Sequence, residues 1–441
     1  MIMKLPTINY EHSNLGNAEL LTYREKLNDE FARMQHDASS IYDDDRASIN
    51  LPLDLQHLKQ CQKLAAQYKG VSLIIVIGIG GSNLGTVAIQ EAIFGKQHNL
   101  NPGKKPRILY ADTVDPDNIT TINILLEQEL KKGKKALINT ISKSGGTTET
   151  IANHELLLKT LQKYRKKDYK KYVVVTTDEH SPLWDFAKRE GFNALPIPKK
   201  VGGRYSVLSP VGLFPLTLLG INTKALLDGA AHMRAQCLKE EHAQNPAMIR
   251  ASLLAYARAS GKNVADNFYF KTDLESIGKW YRQLMGESIG KEWNKEHNKQ
   301  VWMGLTPTVS IGSTDLHSMA QLYFGGPNDK FFSIVTIEKN NDAVRVPDIH
   351  AYDALVNNVQ NKKFSTIMGA ISNGVMITLQ KQQRPYCHIS LPDASEHSIG
   401  ALLQLHMMEM MYLAALLGVN AFDQPNVEAY KIETKKILAE K

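Results

Sequence analysis

Cysteine is scarce in this chain of 441 residues, and its spacing shows neither a metal-binding nor a disulfide pattern. The three cysteines, Cys61, Cys237 and Cys387, are odd in number, far apart in sequence and outside any C-x-x-C motif. Such spacing argues against a disulfide framework and against a zinc cluster. We therefore expect no metal site and a reducing, cytoplasmic location.

Long hydrophobic runs without charge are also missing. No such run approaches the ~20 residues needed to span a bilayer, and the first residues contain no apolar stretch of the kind found in signal peptides. The apolar segment near residues 407–421 contains Glu409, which favours a core helix. We expect no membrane partner.

Acidic residues are fewer than basic ones, and the formal net charge is therefore +7 at pH 7. An excess of this kind is compatible with nucleic acid, an anionic membrane surface or a small acidic substrate. The densest basic run, residues 159–171, is typical of the solvated end of a helix. We expect no nucleic-acid partner.

The hydrophobic pattern, in contrast, is rich in alternation between strand and helix. Apolar strand candidates and amphipathic helical stretches alternate up to about residue 200, which predicts a parallel sheet covered on both faces. The predicted strands are 72–79, 107–112, 136–141, 172–177 and 194–197, and the predicted helices are 84–94, 119–131, 148–164 and 182–190.

A second, smaller α/β region is predicted beyond residue 211, where helical periodicity is followed by strand candidates at 301–305, 331–338 and 387–391. The predicted fold class is therefore α/β, with two doubly wound α/β/α sandwiches, mostly parallel sheets, a helical leader and a carboxy-terminal helix at 398–417. The expected domain boundaries are 1–50, 51–210, 211–425 and 426–441.

The first motif with chemical content is GIGGSNLGT at Gly78–Thr86, which follows a buried strand and opens a helix. Its glycines allow backbone amides to approach an anion at the positive end of the helix. A nicotinamide-dependent dehydrogenase remains an alternative, with Asp112 as the ribose-binding acid. The dinucleotide fingerprint, however, needs glycine where Asn83 stands.

The second motif is ISKSGGTTET at Ile141–Thr150, again at the carboxyl end of a predicted strand, where open α/β sheets bind ligands. Hydroxyls, amides and one lysine suit a single phosphate monoester. The alternative is an ordinary helix-capping turn with Thr147 or Thr148 as the cap. Two such turns after neighbouring strands favour phosphate binding.

The third motif is VGGRYSVLSPVGLFP at Val201–Pro215, in which Arg204 is a cation among mostly apolar residues. An arginine in such a place usually meets an anion, and the alternative is a surface arginine beside a turn. This segment closely resembles a signature of the glucose-6-phosphate isomerase family, and the two earlier loops resemble that family's sugar-phosphate-binding loops of the sugar isomerase (SIS) type.

The resemblance continues through WYRQLMGESIGKEWN at 280–294, GSTDLHSMAQLYFGGP at 312–327 and GVNAFDQPNVEAYK at 418–431. It implies two SIS-type domains in the short bacterial form of the family. It also implies a cofactor-free aldose-ketose isomerase that interconverts glucose 6-phosphate and fructose 6-phosphate through a cis-enediolate. The implied assembly is a homodimer in which His317 reaches the neighbouring active site.

The resemblance also assigns the catalytic residues. Glu287 stands where the family has its general base, a role suited to a carboxylate in a partly enclosed site. Arg204 stabilises the enediolate, His317 takes part in opening the sugar ring, and Lys431 helps to protonate the ring oxygen.

The implied substrate contacts include Gln283 and Gln424. Gln283 lies four residues before Glu287, on the same helical face. If Pro425 lies in the first turn of a helix, Gln424 and Lys431 also share a face. The implied sugar-phosphate contacts are Gly81, Ser82, Ser142, Lys143, Ser144 and Thr147. Two departures from the family pattern, Asn83 in place of aspartate and the sequence SKSGG, affect the expected phosphate geometry.

Two further functions stay open at this point. A bifunctional phosphoglucose/phosphomannose isomerase differs only in its tolerance of the stereochemistry at carbon 2. A non-catalytic SIS-type sugar-phosphate sensor shares the fold and the phosphate loops, since fold does not fix function. Such a sensor has no need for the four catalytic residues together.

Overall fold

Two five-stranded sheets organise the chain, which the computed structural model describes at residues 4–340, 342–352 and 354–440. The strands are β1 (Thr7–Asn9), β2 (Val71–Ile77), β3 (Arg107–Ala111), β4 (Lys135–Ile141), β5 (Val173–Asp178), β6 (Asn193–Ile197), β7 (Val264–Tyr269), β8 (Lys291–Trp293), β9 (Gln300–Met303), β10 (Thr306–Ile311), β11 (Lys330–Ile337) and β12 (Tyr386–Leu391).

Helices surround both sheets. They are α1 (Asn17–Ser39), α2 (Leu55–Ala65), α3 (Leu84–Phe94), α4 (Pro116–Lys131), α5 (Thr148–Arg165), α6 (Pro182–Glu190), α7 (Pro210–Leu219), α8 (Thr223–Cys237), α9 (Pro246–Ala259), α10 (Glu275–Ile289), α11 (Ala320–Gly325), α12 (Phe364–Lys381), α13 (Glu396–Leu416) and α14 (Glu428–Ala439).

The residues group into two units, each with its own sheet. The first unit comprises Met34–Arg234 and Ser395–Gln404, and the second comprises Met1–Arg33, Ala235–Ala394 and Leu405–Lys441. The predicted α/β class with mostly parallel sheets is confirmed. The domain boundaries expected from the sequence stay a prediction.

The sheet of the first unit is entirely parallel, with the strand order β3-β2-β4-β5-β6. Its strands are largely apolar because helices cover both faces of a parallel sheet. The last five residues of β2, for example, are all buried. Local sequence also starts the helices: Ser181 accepts a hydrogen bond from the Trp184 amide at the start of α6, and Pro182 occupies the first turn.

The sheet of the second unit has the order β1-β12-β11-β7-β10 and is parallel except for β1. Strand β7 was not predicted, because the adjacent polar residues Asp266 and Asn267 interrupt its apolar run. The Asp266 carboxylate is buried and accepts hydrogen bonds from Thr308, Ser310 and Tyr323 at 2.6, 2.9 and 3.0 Å. These three donors replace the water that the carboxylate gives up on folding.

The predicted strand at 301–305 is confirmed as β9, which pairs with β8 in an antiparallel hairpin outside the parallel sheet. The parallel strand is β10, which follows directly and contains Pro307. Proline is tolerated there because β10 is an edge strand with a free hydrogen-bonding side.

Helix α13 has 21 residues and is long and apolar enough to cross a membrane by length and composition. Within the described residues it is the helix that meets this test, and 89% of its most apolar window is buried inside the protein. The sequence-based expectation of a core helix around Glu409 is confirmed.

The two sheets share one topology. In each, the first parallel strand in sequence, β2 or β7, has its successor on one side and the third strand, β4 or β11, on the other. The crevice between these strands, at their carboxyl ends, is the place where open α/β sheets bind ligands. Each unit therefore offers one such crevice.

Candidate active site

The loop after β2 forms one side of the crevice in the first unit. Gly80–Ser82 form a 3₁₀ turn that leads into α3. A Cβ atom added to Gly81 would lie 2.7 Å from the Arg204 backbone nitrogen and still closer to the Gly203 carbonyl. Glycine is thus required at position 81 because two backbones meet there, and their contact brings the first and third motifs together.

The loop after β4 forms the other side of this crevice. The Ser142 hydroxyl lies 3.0 Å from the Thr147 hydroxyl and accepts a hydrogen bond from the Gly145 amide at 3.2 Å. Thr147 occupies the N-cap position of α5, but its side chain makes no capping hydrogen bond. The loop is therefore more than a helix-capping turn, and Ser144 lies exposed beside these hydroxyls.

Lys143 connects this loop to the segment that precedes Arg204. Its ammonium donates a hydrogen bond of 2.8 Å to the Lys199 carbonyl. Burial lowers the pKa of Lys143, and the neighbouring carboxylates of Asp178 and Asp45 oppose that effect. The Lys143 ammonium is thus held at the loop by its hydrogen bond to the Lys199 carbonyl and by the nearby carboxylates.

Asp178, at the end of β5, is a member of this group that the sequence reasoning missed. Its amide donates to the Lys143 carbonyl at 3.2 Å. Burial raises the pKa of Asp178 to about 6, although Lys143 and Lys199 act in the opposite direction. Its position at the carboxyl end of a parallel strand was the available signal.

Arg204 lies in the 3₁₀ turn Gly203–Tyr205 and is only 3% exposed. Its guanidinium carbon is 5.4 Å from the centre of the Tyr205 ring. A guanidinium cannot lose its charge in a protein, so burial at this crevice favours a site that receives an anion. The interpretation of Arg204 as an exposed surface residue is wrong.

Asn83 follows the first loop and is also buried, at 1% exposure. Its side-chain amide lies 3.3 Å from a carboxylate oxygen of Asp112 and donates to it. Asp112 is the residue that a dehydrogenase would use to bind a ribose hydroxyl. Here its carboxylate accepts a hydrogen bond from the Asn83 side chain instead.

In the second unit, α10 carries the predicted base. The Gln283 amide donates to the Glu287 carboxylate at 2.9 Å, so the two side chains share a helical face, as their spacing predicts. The Glu287 side chain is half-buried, so it is partly accessible to a ligand.

Lys291 ties the end of α10 to the chain that contains Gln424. Its ammonium donates to the Glu287 carbonyl at 2.8 Å, lies 2.9 Å from the Asp423 carboxylate and also donates to the Asp423 carbonyl. Gln424 is thereby held near α10. This contact joins segments 132 residues apart, and no local pattern in the sequence announces it.

Pro425 lies in the first turn, as expected, but this turn is 3₁₀ and Gln424 precedes it. Pro425–Val427 form a 3₁₀ turn before α14, and Gln424 precedes that turn with a φ of −159°. Lys431 lies on α14, where its ammonium is 2.7 Å from the Glu428 carboxylate. His317 is exposed after a 3₁₀ turn, Thr314–Leu316, at the carboxyl end of β10.

A buried hydrogen-bond network around Glu409 fixes α10 to the core of the second unit. Glu409 accepts from Arg250 at 3.1 Å and from the Tyr281 hydroxyl at 2.7 Å, and lies 2.8 Å from His406. Burial alone raises the pKa of Glu409, but Arg250 and His406 outweigh it, so this pKa lies below its ordinary value. Tyr281 links the network to the helix that carries Glu287.

No group of three or more histidine, cysteine, aspartate or glutamate side chains within the described ranges is placed to hold a metal ion. The hydrogen-bond donors at the first crevice are hydroxyls, backbone amides, Lys143 and Arg204, which together suit an oxyanion. The fold and this site thus define an α/β protein whose crevice at the carboxyl ends of the strands offers donors suited to an anionic small molecule.

Comparisons with known proteins identify the family. The profile described as phosphoglucose isomerase matches residues 54–441. The glucose-6-phosphate isomerase of Rubrobacter xylanophilus is 33% identical over 433 residues, which are 96% of this chain and 96% of that protein. A glucose-6-phosphate isomerase of Thermus thermophilus is 34% identical over 392 residues, 89% of each chain.

A solved structure agrees with these relatives. The crystal structure of a hypothetical protein from Thermus thermophilus superposes with a TM-score of 0.88 at 30% identity, covering 99% of this chain and 100% of that one. The chain therefore belongs to the phosphoglucose isomerase family, and the resemblance read from its motifs is confirmed. The family supports a sugar phosphate as substrate.

Proposed function

We propose that this chain interconverts glucose 6-phosphate and fructose 6-phosphate. The observation that carries the proposal is the placement of the half-buried Glu287 on α10, hydrogen-bonded to Gln283, in a chain of this family. The named relatives support the same reaction.

The phosphate binds at the crevice of the first unit. The hydroxyls of Ser142, Ser144 and Thr147, together with the amides near Gly81 and Ser82, donate to its oxygens. The amino end of α5 adds a favourable dipole. Lys143 contributes a positive charge, whose field the Asp178 carboxylate moderates. A monoester held this way needs no arginine cluster.

Glu287 removes the proton from carbon 2 of the open-chain aldose. The electrons of the C–H bond form the C1–C2 double bond, and the carbonyl oxygen at carbon 1 becomes the negative oxygen of a cis-enediolate. The hydroxyl proton on oxygen 2 then passes to oxygen 1, and the electrons of the O2–H bond form the carbonyl at carbon 2. The electrons of the C1–C2 double bond take the proton back from Glu287 at carbon 1, which completes the isomerisation. Gln283 fixes the carboxylate for this transfer, in which a positioned base contributes ~10²- to 10⁴-fold.

Arg204 stabilises the negative enediolate oxygen. A preorganised donor of this kind contributes ~10²- to 10³-fold in rate, because it needs no reorganisation when the charge forms. Burial strengthens the effect, since the guanidinium is only 3% exposed.

His317 and Lys431 open the sugar ring in a homodimer, with His317 contributed to the neighbouring active site and Gln424 contacting the substrate. His317 is exposed, which suits a residue that serves another chain. Helix α14 also presents large exposed apolar side chains, of which Ile437 is 67% and Tyr430 59% exposed. Exposed apolar surface of this kind is typical of interaction sites.

The cytoplasmic location and the absence of cofactor, nucleic acid and membrane partners remain part of the proposal.

The proposal is tested with purified protein and fructose 6-phosphate in an assay coupled to oxidation of glucose 6-phosphate, with and without a chelator. We expect turnover in both, and deuterium at the carbon that receives the proton when the reaction runs in D₂O. Binding without turnover would identify a sugar-phosphate sensor instead. Comparable turnover of mannose 6-phosphate would identify the bifunctional isomerase.

A further inference from the structure

The second unit contains a cavity of about 310 Å³ that the proposed reaction does not use. It opens at the carboxyl end of β11 and is bounded by Thr336 and Glu338, by Phe270 after β7, and by the first turns of α12. This volume lies at the lower end of the ~300–1,000 Å³ typical of small-molecule pockets, which suits one monosaccharide-sized molecule.

The position of the cavity is the ligand-binding crevice of its sheet. Strands β7 and β11 are neighbours, and the chain leaves them in opposite directions, to β10 and to β12. The equivalent crevice of the first sheet, between β2 and β4, holds the proposed phosphate loops. Open sheets bind ligands at such switch points irrespective of the ligand's chemistry, so the ligand of the second crevice follows from its own lining.

A glycine keeps the cavity open. Gly369 lines it from within α12, and a Cβ atom added there would meet nothing within 4 Å. Glycine inside a helix costs about 1 kcal/mol relative to alanine, and neither packing nor a positive φ requires it here. The absence of a side chain at position 369 leaves space inside the cavity.

The charges around the cavity disfavour an anion. Two carboxylates line it, Glu338 and Asp342. Asp342 is neutralised by the Lys363 ammonium at 2.8 Å, whereas Glu338 accepts a hydrogen bond from the uncharged Ser390 hydroxyl at 3.2 Å. Burial lowers the pKa of His388, with Glu338 opposing, so this lining imidazole is neutral at pH 7.

The remaining lining combines neutral polar groups with apolar surface. Hydroxyls of Thr336 and Thr366 and the amide of Asn373 offer donors and acceptors, while Phe270 and Met376 offer apolar faces. Small-molecule pockets combine such apolar walls with a few polar groups that fix orientation. A molecule with several hydroxyls on a carbon ring or chain matches both.

From this juxtaposition we infer a second ligand site at the β7/β11 crevice, which takes an uncharged polyol of monosaccharide size and rejects phosphate. Glu338 accepts hydrogen bonds from the ligand hydroxyls, and Phe270 packs against its C–H groups. A cationic ligand is less suited, because Lys363 already pairs with one of the two carboxylates.

The test is a binding titration by saturation-transfer NMR with D-glucose and with sorbitol. An equilibrium mixture of glucose 6-phosphate and fructose 6-phosphate is present to occupy the catalytic site. We expect saturable binding to the unsubstituted protein and a loss of at least ~10-fold in affinity, equal to 1.4 kcal/mol, in Gly369→Leu, whose side chain fills the cavity. Isomerase turnover should stay within about twofold in that variant.

The matched control is Gly374→Leu on the same helix, where an added Cβ atom also meets nothing within 4 Å but which does not line the cavity. It should bind both polyols as the unsubstituted protein does. Should Gly369→Leu fail to fold, Glu338→Gln replaces one of the two acceptor oxygens of an exposed carboxylate by an amide donor and removes its charge, which should weaken polyol binding severalfold.

Four results would overturn the inference: no saturable polyol binding, equal binding by Gly369→Leu, preferential binding of inorganic phosphate at this site, or binding of spermidine in place of the polyols. None of them bears on the isomerase assay. Failure of this site is therefore distinguishable from failure of the proposed reaction.

Discussion

At the carboxyl edge of the first sheet, the loops after β2 and β4 provide glycine backbone, hydroxyls and Lys143, and the turn Gly203–Tyr205 adds the buried Arg204. The same edge of the second sheet instead holds a cavity beside Glu338 and Asp342. Both edges arise from the same strand order. The difference lies in the side chains of the strands and in the loops and helix ends that follow them. The topology thus sets where a ligand binds, and the loop chemistry sets which ligand it is.

The largest effect is expected from Glu287→Gln, which removes the base and leaves the proposed phosphate-binding crevice of the first unit intact. Turnover should fall by at least ~10²-fold, the lower scale for loss of general base catalysis. Steady-state kinetics with fructose 6-phosphate measure it. Glu275→Gln, in the first turn of the same helix, should keep near-normal turnover, and a normal rate in Glu287→Gln would remove the carboxylate from the mechanism.

Arg204→Ala should lower turnover by about 10²- to 10³-fold, because the enediolate oxygen loses its preorganised donor. Arg204→Lys should recover only part of the rate, since an ammonium lacks the planar fork of a guanidinium. Comparison of kcat with KM checks the assignment. An effect on KM alone would place Arg204 on the phosphate instead.

Glu409→Gln should reduce the free energy of unfolding by about 3–5 kcal/mol, because it leaves the fully buried Arg250 without its anion. Urea denaturation measures the change. The exposed pair Glu433 and Lys436 supplies the control, and Glu433→Gln should leave the denaturation midpoint unchanged. A small effect of Glu409→Gln would show that the network beneath α10 is not a stabilising element.

Alanine at two glycines compares the two edges directly. Gly81→Ala should destabilise the protein by about 1–3 kcal/mol and raise KM, since its Cβ atom meets the Gly203 and Arg204 backbone. Gly369→Ala should stabilise it by up to about 1 kcal/mol, since only helix propensity changes. Thermal unfolding of both variants measures the contrast. Equal effects would contradict the different reasons given for the two glycines.

The smallest effect concerns Asp178 and pH. Its pKa of about 6 lies above the ordinary value of 3.8, so the folded protein holds this proton more tightly. Its contribution to stability therefore falls as the pH rises through this window. Asp178→Asn should show a gain in Tm that is larger at about pH 7.5 than at about pH 4.5. The exposed Asp43→Asn should show no such difference, and a gain independent of pH would reject the assignment.

Much of the first edge is predictable because its signals are local. The run VSLIIVI followed by GIGGS, and INTI followed by SKSGG, identify a buried strand and its ligand loop within a dozen residues. Strand β7 was missed because Asp266 lies in its interior, and that carboxylate is tolerated only through partners on other segments. A buried carboxylate inside a strand can thus be explained only once the segments that donate hydrogen bonds to it are known.

The candidate site shows the same limit. The pairing of Gln283 with Glu287 follows from a spacing of four residues on a helix, and the structure has it. The contact of Lys291 with Asp423 joins distant segments, and Asp178 approaches Lys143 only because β5 lies next to β4. Such contacts depend on tertiary packing, which no pattern within a short stretch of sequence reports.

The most direct test of the account is a crystal structure of Glu287→Gln with a bound hexose 6-phosphate. The account predicts the phosphate between the loops after β2 and β4, in hydrogen-bond contact with the hydroxyls of Ser142 and Thr147. A phosphate found instead in the cavity beside Thr366 and Gly369 would contradict it, because the two edges would then have exchanged the ligands that their chemistry assigns.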